Sequence, residues 1–182
     1  MKSFLGKDSK KPSLDLIVIS IVALIIIILS VIILVNYGLG GYKYDLEASA
    51  YRVAQDIRKA GEMAMFVEEF EDSIPPGGYG INFNLSSPLS YFLFADNGNH
   101  IYDLDDPIIK KVNLEGEAII VELHAGNKRV IKDIPLNIIF TPPNPDIKIN
   151  LNENSGAVIL KDEKTNETIN IKVNSVGLVE VQ

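Results

Sequence analysis

From Leu14 to Val35 the chain is one unbroken apolar run, LDLIVISIVALIIIILSVIILV, whose only ionisable group is Asp15. A helix rises about 1.5 Å per residue, so about 22 residues cover the ~30 Å hydrocarbon core of a bilayer. Such a run predicts a membrane-spanning helix and makes everything beyond it a tethered domain. Lys2, Lys7, Lys10 and Lys11 precede the run, while Asn36, Tyr37, Tyr42 and Tyr44 follow it. Basic flanks stay cytoplasmic and tyrosines favour the headgroup zone, so the expected topology is N-terminus in, residues 36–182 out, in the cell membrane as a single pass. A cleaved secretory signal is the competing reading. It has a shorter apolar core and a small-residue cleavage pattern, which VNYGLGG does not offer.

Charge narrows the partners. The net charge is −7, and residues 36–182 alone carry 13 basic against 22 acidic groups, a net of −9. Nucleic-acid binding needs a basic footprint, so none is expected. The absence of cysteine excludes thiol catalysis, cysteine-based zinc sites, disulfide stapling and a lipidated-cysteine anchor.

Beyond the run, Gly38, Gly40 and Gly41 predict a bend or melted turn, because each glycine costs a helix about 1 kcal/mol against alanine. A second helix is expected from about Asp45 to Phe70. Leu46, Ala50, Val53, Ile57, Ala60, Ala64 and Val67 recur at spacings of three and four, opposite Glu47, Arg52, Gln55, Asp56, Lys59 and Glu62. The pairs Asp45/Ser49 and Gln55/Lys59 are expected on the solvent side. Glu68, Glu69, Glu71 and Asp72 crowd the end of a helix that disfavours anions, and Pro75–Pro76–Gly77–Gly78 stops it.

After Gly78 the texture is that of strands. They are expected near 79–83, 90–95, 108–112, 118–124, 136–140, 147–151, 157–161, 168–173 and 178–181, with Asp162–Asn166 as a hairpin connection and Thr141–Pro145 as a stiff loop. The expected fold class is therefore α+β. An N-terminal transmembrane helix continues into an amphipathic helix packed on a C-terminal antiparallel β-sheet domain. The corresponding divisions are a basic leader (1–13), the transmembrane helix (14–36), a hinge and amphipathic helix (37–74) and a β-rich head (75–182).

One segment carries candidate ligands. In ADNGNHIYDLDD (95–106), Asp96, Asn97, Asn99 and Asp103 place oxygens at short spacing around Gly98, with Asp105 and Asp106 nearby. Calcium takes six to eight such oxygens on a flexible loop, and the stretch is like a shortened calcium loop. The same letters fit a polar turn, because Asn-Gly between Phe94 and Ile101 is a strong hairpin signal. Catalytic constellations are lacking: His100 and His124 have no companion at metal-ligand spacing, and no G-x-S-x-G turn or phosphate loop occurs. Asn84–Ser86 and Asn166–Thr168 match the glycosylation sequon.

The order of these parts resembles the type IV pilin and type II secretion pseudopilin superfamily. A basic leader, KKPS, runs into a long apolar helix. EASAYRVAQDIRKAGEMAMF is similar to the first exposed helix of minor pseudopilins of the GspH/FimT kind, and the chain ends on IIFTPPNPDIKI…SGAVILK…TINIKVNSVGLVEV. The resemblance implies a pilin-like fold and no enzyme activity. It also implies a subunit that assembles through its apolar helix, with other pilin-like subunits, inner-membrane assembly machinery and a prepilin peptidase as partners. It implies a prokaryote as well, where a sequon match by itself carries little weight. In the family a Gly, a Phe or Met, three residues and a Glu mark the processing site. Here Asp15 stands for the Glu as the assembly carboxylate, but Lys10 and Lys11 stand where the Gly and the aromatic residue would be, so the motif is degenerate and the processing site unknown. Asp15 fits equally well as an N-terminal helix charge behind a Ser13 cap. Two functions follow as expectations: a minor filament subunit, or an uncleaved membrane-anchored binding module.

Overall fold

The computed structural model describes residues 14–130, 134–143, 146–150 and 153–182. The expectations that fall on the basic leader, on Ser13 as a cap and on the carboxylate of Asp15 lie outside the described residues. The chain divides into two units, the first ending at Gly40 and the second running from Gly41 to Gln182.

The long helix α1 spans Leu14–Met65, 52 residues. Within it Leu16–Leu34 has a mean hydropathy of 3.6 and none of it is buried, so this helix is long and apolar enough to cross a membrane. Ser20 and Ser30 return their hydroxyls to the carbonyls of Leu16 and Ile26 (2.5 and 2.8 Å), which removes their polarity from the exposed surface. The expected melted turn at Gly38–Gly41 is absent: helical backbone runs through all three glycines. Glycine weakens a helix by entropy alone and keeps its N–H, so propagation from well-formed flanks carries the helix across.

In the second unit, ten strands follow the helix: β1 (Gly78–Phe83), β2 (Ser90–Asp96), β3 (Ile108–Asn113), β4 (Ala118–Ala125), β5 (Lys128–Arg129), β6 (Leu136–Thr141), β7 (Asp146–Ile149), β8 (Ser155–Asp162), β9 (Thr168–Asn174) and β10 (Val179–Val181). Nine match the expected strands within two residues, apart from Leu151, which lies outside the described residues. The tenth, β5, is too short to carry a period. The single expected sheet is a correction, because there are two, in the orders β3-β2-β1-β6-β7 and β10-β9-β8-β4-β5, antiparallel throughout. The sheets touch where Gly156 of β8 leaves room for Ile149 and Leu136 of the other sheet: an added Cβ would stand 3.3 and 3.6 Å from them.

The helix stripe belongs to the same core as both sheets. Leu46, Ala50, Val53, Ile57, Ala60 and Ala64 are buried with Ile81, Phe83, Ile138, Leu123, Val158 and Ile171. Alanine lets the helix approach closely, and at Gly61 an added Cβ would already stand 3.3 Å from the Phe140 ring.

Three helix expectations change. Ser49 and Asp56, expected toward solvent, are buried (1% and 7% exposed). Each stands three or four residues from Val53, on the flank of the apolar stripe, where the loop after β3 meets Ser49 and the strands β2 and β3 meet Asp56. The helix also stops at Met65 rather than near Phe70. Val67 takes φ 51, Glu68 N–H donates to the Met63 carbonyl (3.0 Å) and Val67 N–H to that of Ala64 (3.2 Å). That is a Schellman end, which satisfies orphan carbonyls before the acidic run Glu68–Asp72 begins.

Candidate functional site

The loop between β2 and β3 brings together every residue of the candidate calcium segment, but not as the two-residue hairpin that Asn97–Gly98 suggested. The ladder resumes at Ile108, opposite Phe94, where the expected strand 108–112 begins. The eleven residues between the strands, 97–107, are held by the side chains of Asp96 and of the loop itself. Asp96, fully buried, accepts from the backbone N–H of Gly98 and of His100, each at 3.2 Å. Asp106, also buried, accepts from Asn97 N–H and Asp103 N–H, both at 2.9 Å. Asn97 Oδ1 accepts from Asn99 N–H (3.3 Å), Asn99 Oδ1 from Ile101 N–H (2.8 Å) and Asp103 Oδ1 from Asp105 N–H (2.8 Å). Asn99 Nδ2 also donates to Asp103 Oδ2 at 2.5 Å. Each short polar side chain thus caps an amide two to four residues on, or closes the loop from its far end, a pattern that favours turns over ladders.

Two consequences follow for the chemistry of this loop. The side-chain oxygens of the candidate ligands accept from amides, and among the described residues no group of three or more His, Cys, Asp or Glu side chains is placed to hold a metal ion. Burial also raises the pKa of Asp96 above the ordinary carboxylate value, opposed by the His100 and Gly98 amides and reinforced by the charge of Asp106. His100 sits at φ 61 with Nδ1 3.4 Å from Asp96 Oδ2.

The loop also covers the sheet. Tyr102 lies on Phe92 (ring centroids 6.0 Å apart, planes 14° apart) and edge-on to Phe94 (5.1 Å). Phe94 and Ile139 in turn close over Gly80, where an added Cβ would stand 2.5 and 2.8 Å from them. This explains why β1 is buried at all six positions instead of alternating. Of the aromatic residues expected in the core or on a strand face, Tyr79, Tyr91 and Phe94 are buried and Phe92 is half-buried on β2.

A second polar cluster was missed in the sequence. Asp56 of α1 accepts from the Tyr91 hydroxyl (2.6 Å) and from Lys110 Nζ (3.0 Å), which ties the helix to β2 and β3. Burial, then the Asp56 hydrogen bond and charge, push the Tyr91 phenol well above its usual range. Nearby, Ser49 Oγ accepts from Glu115 N–H at 2.8 Å and Arg52 pairs with the Glu115 carboxylate at 3.1 Å. The signal was available: Asp56 falls three residues after Val53 and four before Ala60, inside the apolar period. These contacts anchor the helix to the sheet strands and to the loop after β3.

His124 donates or accepts at 3.2 Å with Glu122, which also pairs with Arg129 (3.1 Å) across β4 and β5. Asp15 stands in the first turn of α1. Comparison with protein-family models, with curated proteins and with solved structures finds no match to this chain.

Proposed function

We propose that the chain is a pilin-like structural subunit, a minor component that assembles through its N-terminal hydrophobic helix into a type IV pilus or type II secretion-like filament. The observation that supports this reading is α1 itself. One helical segment leaves 19 apolar residues without any burial and then supplies the core stripe of a two-sheet domain. A helix that is apolar all round is stable only in lipid or among other apolar helices, and a filament core offers the second. Ser20, Ala23 and Ser30 keep parts of that surface low, which lets neighbouring helices approach. In this reading the head is extracytoplasmic, the leader cytoplasmic, and Asp15 the assembly carboxylate.

The residues before the helix favour a second reading. Lys10 and Lys11 stand where the family has Gly and an aromatic residue, and an uncleaved chain would remain a membrane-anchored extracytoplasmic binding module. Intact-mass measurement of the chain after co-expression with a prepilin peptidase separates the two. A product shortened to a start between residues 7 and 12 and methylated there is the filament subunit's result. A mass that retains residues 2–11 rules out standard filament entry and leaves the anchored module.

A further inference from the structure

We propose that Asn166 is an N-glycosylation site, and that the other sequon asparagine, Asn84, is not. The proposal rests on the extracytoplasmic placement of the head given above. A sequon asparagine is modified only if its carboxamide and the hydroxyl two residues on can both enter a transferase, which confines sites to open turns.

The two sequons differ in that respect. Asn166 lies on the turn that joins β8 to β9 and Thr168 is the first residue of β9, and both are exposed. The turn is built without their side chains. Asp162, fully buried, accepts from the amides of Lys164 (2.9 Å) and Thr165 (2.8 Å) and from the Thr165 hydroxyl (3.2 Å). The backbone closes through Asn166 N–H on the Asp162 carbonyl (3.0 Å) and Asp162 N–H on the Glu167 carbonyl (3.0 Å). Asn166 takes φ 60, the left-handed conformation that asparagine tolerates best among residues with a Cβ. A groove along Leu46 and Glu47 of α1 and Glu167, Thr168 and Ile169 borders the turn.

Asn84 is in the opposite state. It is half-buried, and its Oδ1 is held by Ser86 N–H at 2.8 Å in a turn closed by Ser87 N–H on the Asn84 carbonyl (3.0 Å). Its carboxamide would have to give up that bond before it could be presented.

The co-reactant is a glycan carried on a lipid phosphate, supplied by a membrane transferase. Nδ2 of Asn166 bonds to the anomeric carbon, and the bond from that carbon to the phosphate oxygen breaks. The lipid phosphate leaves with the electron pair, and one amide proton passes to a base of the transferase.

Peptide mass spectrometry of the full chain, purified from membranes of the cells that make it, tests this. The Asn166 peptide should carry a glycan mass that is lost in Asn166→Gln and in Thr168→Val but kept in Thr168→Ser and Asn84→Gln. Thr168→Ser guards against an effect of misfolding. An unmodified Asn166, or a glycan that survives Thr168→Val, overturns the proposal, as does modification at Asn84 instead. Since the chain has no cysteine, Val176→Cys (82% exposed in the natural residue) treated on intact cells with a membrane-impermeant maleimide separates the two levels. Labelling with a bare Asn166 sinks the glycan alone, whereas no labelling sinks the extracytoplasmic head and the glycan with it.

Discussion

Val67 is a β-branched residue at φ 51 in the C′ position of α1, where glycine is ordinarily found. A left-handed conformation costs a residue with a Cβ about 1–2 kcal/mol, and Val67 is only half-buried. Val67→Gly should therefore raise the stability of the second unit by about 1 kcal/mol, seen as a higher denaturant midpoint; a lower midpoint would mean that its side-chain contacts outweigh the strain. Asp56 makes the opposite case. With Asp56→Ala, the Tyr91 hydroxyl and Lys110 ammonium lose their acceptor, at a cost of about 1–3 kcal/mol. Tyr91→Phe in that background should recover part of the loss, and a double-mutant cycle with no coupling would refute the tie. At Asp96, a folded-state pKa above the unfolded one means that the folded state binds the proton more tightly. Relative to Asp96→Asn, the natural chain should then lose stability as pH rises from about 4, the unfolded carboxylate value, through the raised folded value. Urea melts of the pair at several pH values read that slope, and a slope of opposite sign would contradict the burial argument.

Among the elements, α1 does two jobs with one backbone. Its apolar part needs no polar face, and its later part needs alanine wherever the sheets come close. Gly38, Gly40 and Gly41 lie between them without breaking the helix, so their effect is on local opening. Replacing Gly40 by Ala should slow amide exchange in the neighbouring turns by up to about fivefold, the equivalent of the 1 kcal/mol propensity difference. Unchanged exchange would show that tertiary or lipid contacts set the opening there. In the first sheet, Gly80 is the element's tight point: Gly80→Ala forces Phe94 and Ile139 apart and should cost about 1–3 kcal/mol by overpacking. The outer strands carry their own protection. β3 has Lys110 and Lys111, β5 is only Lys128–Arg129 and β7 carries Lys148, and charge on an edge discourages pairing with another chain.

For the molecule as a whole, every residue of the main core lies between Leu46 and Val179, while Leu16–Leu34 contributes none of it. A chain beginning at Gly41 should consequently fold in water with one cooperative transition, and the full chain should need lipid or detergent. Aggregation of the shortened chain would mean that the first unit supplies structure the core lacks.

The residues by themselves determined the apolar run, the amphipathic stripe, nine of the ten strands and the Asp162–Asn166 turn. Each is written in a local period or in turn chemistry, which needs no knowledge of neighbours. Only the tertiary structure decided how the strands divide into two sheets, because period two marks a buried face without naming its partner. It also decided that Ser49 and Asp56 turn inward, since a polar residue on the flank of a stripe goes to solvent unless a loop or a strand brings it a partner. The Asp96–Asp106 loop shows the same division at one site. The spacing of its oxygens was legible, but their hydrogen-bond partners were not, because the amides they accept from are brought to them only when the loop closes on itself.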